Sequence, residues 1–151
     1  MAVHDHGALA AAAAQLRDAG APVSVLCAAC AEVVELLDGD AVSDSESSQL
    51  EAAGVLEAAV LALRSDRGSS HEVLRAALFK VCHAAMRRCA ARAVVAAGLV
   101  EPSLLALSSS NSEVLVQCLK VLSGLAMNRN CAHALVRGGV VALVACGAPS
   151  R

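Results

Sequence analysis

The chain has 151 residues, a formal net charge of −2 and one aromatic residue, Phe79. That length suits one compact domain or one short helical array. With one Phe and no Trp or Tyr, the composition excludes aromatic platforms for single-stranded nucleic acid and disfavours an all-β fold; the charge disfavours a general nucleic-acid or anionic-membrane binder.

No uncharged run reaches the ~18 residues of a membrane span. The opening Met1-Ala2-Val3-His4-Asp5-His6 has neither the basic start of a signal peptide nor the arginines of a transit peptide. A first helix is expected at about Ala8–Ala19, ahead of Gly20, and a second from Pro22 to Leu37, stopped by Asp38-Gly39-Asp40. Asp38–Ser48 then reads as an acidic, serine-rich loop. Within it, Ser43-Asp44-Ser45-Glu46 has the composition of an acidophilic kinase site and equally of a plain solvated loop.

From residue 48 onward the sequence repeats itself. Glu72-Val73-Leu74 recurs as Glu113-Val114-Leu115, and Leu78, Val81 and Ala85 recur as Leu119, Leu122 and Ala126, each 41 residues later. Gly54-Val55-Leu56-Glu57 recurs as Gly98-Leu99-Val100-Glu101, 44 residues on. Periods of about 40–47 residues with helical patterning indicate stacked helical units. Each unit reads as three helices. In the clearest one they are about Arg88–Ala97, ended by Gly98, then about Leu99–Leu107 with Pro102 in its first turn, then about Ser112–Ala126. The third helices share an apolar stripe, so Leu74, Leu78, Val81, Leu115, Leu119 and Leu122 are expected in the core. Capping boxes Ser69-x-x-Glu72 and Ser110-x-x-Glu113 are expected to open them.

The segment 113–144, EVLVQCLKVLSGLAMNRNCAHALVRGGVVALV, resembles an armadillo repeat, and the resemblance extends over about residues 48–146. It implies an all-α, armadillo-like, right-handed helical solenoid. Residues 1–47 would be degenerate capping helices and the acidic loop, 48–86 and 87–128 two complete units, 129–146 a truncated unit and 147–151 a short tail. Armadillo solenoids generally bind extended peptides in a groove lined by their third helices, and importin-like members clamp the peptide with Trp and Asn ladders. Here the Trp position holds Phe79 and then Lys120, and the Asn position His83 and then Gly124, so that ladder is absent. Groove candidates by the resemblance are Arg75, Phe79, His83, Gln117 and Lys120.

Arg87, Arg88 and Arg92 are followed in the next unit by Arg129, His133 and Arg137, a basic edge that could attract acidic partners or simply be solvated. After Gly139 come Val140, Val141, Leu143 and Val144, whose counterparts at Leu99–Leu105 precede a third helix. These four are expected to dock against another copy, a partner subunit or further sequence. The seven cysteines are an odd count, set mostly within helix-patterned stretches, which points to an intracellular reducing compartment, the cytoplasm. Cys27-x-x-Cys30 lacks a second ligand pair for zinc and a βαβ setting for redox work, so it reads as buried packing, with no metal and no cofactor. No nucleophile elbow, phosphate loop, HExxH or paired carboxylates occur. The expected role is therefore non-catalytic: a protein-interaction or scaffold module, a structural subunit or fragment of a larger assembly. The alternatives are an adaptor holding an extended peptide in the groove and, remotely, a cysteine-dependent enzyme. Protein partners are expected, without nucleic acid, membrane or small-molecule substrate.

Overall fold

The computed structural model describes residues 2–18, 20–38, 46–65, 70–89, 91–127, 129 and 131–137. No strand occurs among them. The helices are α1 (Ala2–Arg17), α2 (Val23–Asp38), α3 (Glu46–Arg64), α4 (Glu72–Met86), α5 (Ala91–Ala97), α6 (Val100–Leu105), α7 (Ser112–Ala126) and α8 (131–137), with a 3-10 turn, Ala106–Ser108, extending α6.

Alanine-rich sequence makes helix cheap, since alanine loses no side-chain entropy on becoming helical. Tertiary packing decides the rest. α1 packs on α2 and α3, and both α2 and α3 pack on α4. α4 packs in turn on α7, α5 and α6 lie on α3, and α6 with its 3-10 turn lies on α7. So α2, α4 and α7 follow one another by contact, and α1, α3 and α5–α6 form a second such succession.

α4 is the most enclosed helix in this arrangement. Leu74, Leu78, Phe79 and Val81 are buried, as are Cys82 and Ala85. Burying each of the larger side chains contributes roughly 1.5–3 kcal/mol. Facing helices contribute Leu26, Val33 and Leu37 from α2, Val55, Leu56 and Val60 from α3, and Val114, Val121 and Leu125 from α7. Ala58 and Ala59 are fully buried between them, where larger residues would hold the helices apart.

α7 covers Ser112–Ala126 as the spacing predicts, but its buried stripe is not the expected one. Val114, Gln117, Cys118, Val121 and Leu125 are buried, Leu115 and Leu122 partly so, and Leu119 is 53 % exposed. Its counterpart Leu78 is completely covered. The difference is one of position: α4 lies between α2 and α7, whereas α7 packs on α4 and α6 and turns Leu119 away from both.

The expected capping boxes are also displaced. The N-cap of α7 is Asn111, whose Oδ1 accepts from the Val114 N–H at 3.1 Å. Asparagine caps at least as well as serine and stands one residue nearer the helix than Ser110. Glu113 instead accepts from Gln117 Nε2 at 2.9 Å. α4 is capped by His71 without a side-chain hydrogen bond, and Ser69 lies outside the described residues.

The N-terminal elements differ in extent from the reading above. α1 starts at Ala2 and stops at Arg17, and the expected loop Asp38–Ser48 is already helical from Glu46. Residues 39–45, with Ser43 and Ser45, lie outside the described residues.

The two repeated glycines behave differently. Gly98 has φ 77°, in the left-handed region, and separates α5 from α6. Gly54 lies inside the continuous helix α3, where the sequence suggests a break. Position +4 explains it. Pro102 follows Gly98 by four residues, and its ring would clash with the residue 98 carbonyl in a continuous helix. Ala58 follows Gly54 by the same interval and permits the helix to run on.

Both glycine carbonyls nevertheless receive the same visitor. Arg17, at the end of α1, donates from Nη2 to the Gly54 carbonyl at 3.4 Å and lies 3.7 Å from Glu57. Arg64, at the end of α3, donates from Nη2 to the Gly98 carbonyl at 3.1 Å and lies 3.5 Å from Glu101. The two arginines are close to half-exposed and the two glutamates about two-thirds exposed, so each ion pair is worth at most about 1 kcal/mol. Their value is positional, since each fixes the end of one helix against the start of an equivalent stretch.

A matched pair of substitutions checks this account. A Cβ at Gly98 would meet Arg64 Nη2 at 2.8 Å in a left-handed backbone, whereas a Cβ at Gly54 meets nothing within 4 Å. Gly98→Ala is expected to cost about 1–2 kcal/mol, and Gly54→Ala to stabilise by up to about 1 kcal/mol. Urea denaturation of both variants measures the two signs.

Candidate functional site

The groove candidates do not share one surface. Phe79 is completely buried, and Gln117 is buried with its amide on Glu113. Arg75 is largely covered and lies 3.5 Å from Glu72, whose other oxygen accepts from Ser109 Oγ at 2.8 Å. Phe79 and Arg75 line a 240 Å³ recess with Leu63, Arg64, Glu101 and Leu105, between α4 and the α3–α6 side. Of the set, Lys120 is exposed, and His83, like Arg75, is partly buried.

The basic edge is likewise divided. Arg88 donates to the Leu37 carbonyl at 2.9 Å, and Arg87 stands 3.9 Å from Asp38, so both tie α4 to the end of α2. Arg92, Arg129, His133 and Arg137 are exposed. Val140, Val141, Leu143 and Val144 lie outside the described residues.

What the packing does assemble is a cleft of about 360 Å³ between α2 and α4. Cys27, Cys30, Ala31 and Val34 line one wall, Val73, Ala76, Ala77 and Lys80 the other, and Glu113 of α7 reaches its rim. Val73 is 75 % exposed there. The sequence reading assigned the neighbouring stripe of α4 instead. A usable signal was present: residues 27, 31 and 34 and residues 73, 77 and 80 each run i, i+4, i+7, one face of a helix in both cases. Small residues fill most of those positions, so neither face closes fully on the other.

The electrostatics of this region are quiet. His83 is pushed below its ordinary value by burial, then by Arg87 and Lys120, with Asp38 opposing. Cys27, Cys30, Cys82, Cys89 and Cys118 are free thiols. Burial raises Cys30 to about 12, with Cys27 nearby adding to the effect, and raises Cys89 and Cys118 to about 11. Cys27, Cys82 and Cys131 are raised as well. The Cys118 thiol donates to the Ser103 carbonyl at 2.8 Å. A nucleophilic cysteine requires the opposite, a depressed pKa in electropositive and accessible surroundings.

Among the described residues no group of three or more His, Cys, Asp or Glu side chains is placed to hold a metal ion. No described helix is long and apolar enough to cross a membrane. Compared with protein-family models, curated proteins and solved structures, the chain matches none.

Thiol chemistry gives the test. In iodoacetamide at neutral pH, Cys30 and Cys82 are expected to stay unmodified in the native protein, with Cys27 reacting slowly because it is the more accessible. Addition of denaturant should expose all of them to rapid alkylation, read site by site by mass spectrometry. Fast native labelling at Cys30 would contradict the burial described.

Proposed function

We propose that the chain is an armadillo-like helical solenoid acting as a non-catalytic scaffold module, a structural subunit or fragment of a larger protein assembly. Two features support the solenoid reading: the contact order α2–α4–α7, and the twice-used contact of an arginine with a glycine carbonyl and a glutamate. Stacked units of this kind cover each apolar face with the next unit. The observation that carries the functional part is Leu119. Its counterpart Leu78 is fully covered, and it is itself 53 % exposed, beside Val116 at 46 %. An exposed leucine at a position that is core one unit earlier, with an exposed valine beside it, suits a surface that another helical layer covers.

The second reading, an adaptor holding an extended peptide, is favoured by the cleft between α2 and α4. Its apolar walls, with Lys80 on one of them and Glu113 at the rim, suit a short apolar segment with polar flanks. The first reading ranks higher because the cleft is lined mainly by small side chains, which supply few of the aromatic anchors typical of tight recognition.

Site-specific photo-crosslinking separates the two. A photoreactive amino acid at position 119 is expected to trap a protein neighbour in native extract, and one at position 73 to trap little. Adducts at 73 alone would favour the peptide groove, and absence of adducts at 119 would contradict the scaffold reading.

A further inference from the structure

Cys27-x-x-Cys30 places two thiols three residues apart on α2, a spacing that sets their Cβ atoms about 5–6 Å from each other. Both line the same wall of the cleft between α2 and α4. Cys30 is 1 % exposed, and its thiol has no hydrogen-bond partner among the described residues. Cys118, also buried, by contrast donates to the Ser103 carbonyl. Cys27 is only partly buried, so the pair meets solvent on its side. Lys80 stands on the opposite wall, exposed, and has no ion-pair partner among the described residues. Glu113, the carboxylate at the rim, is engaged by Gln117 Nε2.

We infer that Cys27 and Cys30 form a two-coordinate site for a soft monovalent cation, copper(I). Two Cu–S bonds form, two S–H bonds break, both protons pass to solvent, and no electron is transferred. The product carries one net negative charge, which the Lys80 ammonium across the cleft offsets. Soft thiolate ligands favour copper(I), zinc and iron–sulfur clusters. Zinc in a structural site takes four ligands, and an iron–sulfur cluster is held by four cysteines. Among the described residues no third His, Cys, Asp or Glu is placed to join the pair. Copper(I) is satisfied with two thiolates, and it is the ion this donor set fits. Burial raises both thiols above their ordinary value, so the ion competes with tightly held protons and binding depends on pH. The site stands whether the chain serves as a scaffold or as an adaptor.

Anaerobic titration of the full chain with copper(I), against the chromophoric competitor bicinchoninate, tests this. One copper(I) per chain is expected to be retained. Because two protons leave, the apparent affinity is expected to rise about a hundredfold per pH unit below the thiol pKa values. Cys27→Ser and Cys30→Ala are each expected to weaken retention by more than the roughly 10–100-fold that loss of an outer-shell contact costs. Serine at a partly exposed position, and alanine beside Ala29 and Ala31, are expected to leave the helical circular dichroism unchanged. Cys89→Ala removes a partly buried thiol outside the cleft and is expected to bind as wild type does. X-ray absorption at the copper edge is expected to show two sulfur neighbours. No retention by the wild type, unchanged retention in both cleft variants, an equal loss in Cys89→Ala, or coordination by oxygen and nitrogen alone would overturn the inference.

Discussion

The described fold depends on the enclosure of α4. Its apolar side chains are covered because α2, α3 and α7 all pack on this one helix, and the neighbours owe their own buried faces largely to it. The composition makes such enclosure demanding. With Phe79 as the single large ring and small residues over much of the remaining surface, the helices must approach closely to exclude water. Gly124 on α7 leaves room for the Met86 side chain of α4, whose flexible Sδ–Cε end an added Cβ would have to displace. Loss of packing at α4 would therefore expose α2, α3 and α7 together.

Much of this was legible in the sequence where a strong local signal coincided with a packing need. Ser112–Ala126 combines a polar start with an apolar stripe, and its limits agree with the observed α7. Gly98 followed by Pro102 admits few alternatives to a helix break, and the break is there. Where the signal was shared between two outcomes, the reading went astray. Gly54-Val55-Leu56-Glu57 resembles Gly98-Leu99-Val100-Glu101 position by position, but the residue that enforces the break, Pro102, has no equivalent in Ala58. Leu119 matches Leu78 by sequence, yet burial belongs to the neighbours rather than to the residue.

The arginine contacts were missed for a different reason. Arg17 reaches Gly54 across 37 residues and Arg64 reaches Gly98 across 34, so an ungapped alignment separates them. The common order is Arg, then Gly-x-x-Glu, with a variable interval. The candidate site was less legible than the fold because its residues are small. Cys27, Ala31, Ala76 and Ala77 look like core residues in any helical sequence, and only the separation of α2 from α4 turns them into cleft walls. Of the groove residues implied by resemblance, Phe79 and Gln117 point inward, and Phe79 supplies the one aromatic ring of the core.

The central claim is that α2, α4 and α7 are successive layers and not members of one closed bundle. Pulsed electron-electron resonance distances between spin labels on the exposed positions Glu35, Lys80 and Lys120, introduced as unnatural amino acids, test it most directly. Neighbouring helices pack with axes about 8–10 Å apart. Successive layers predict that the α2–α7 distance is close to the sum of the α2–α4 and α4–α7 distances. Three nearly equal distances would place α2 against α7 and contradict the account.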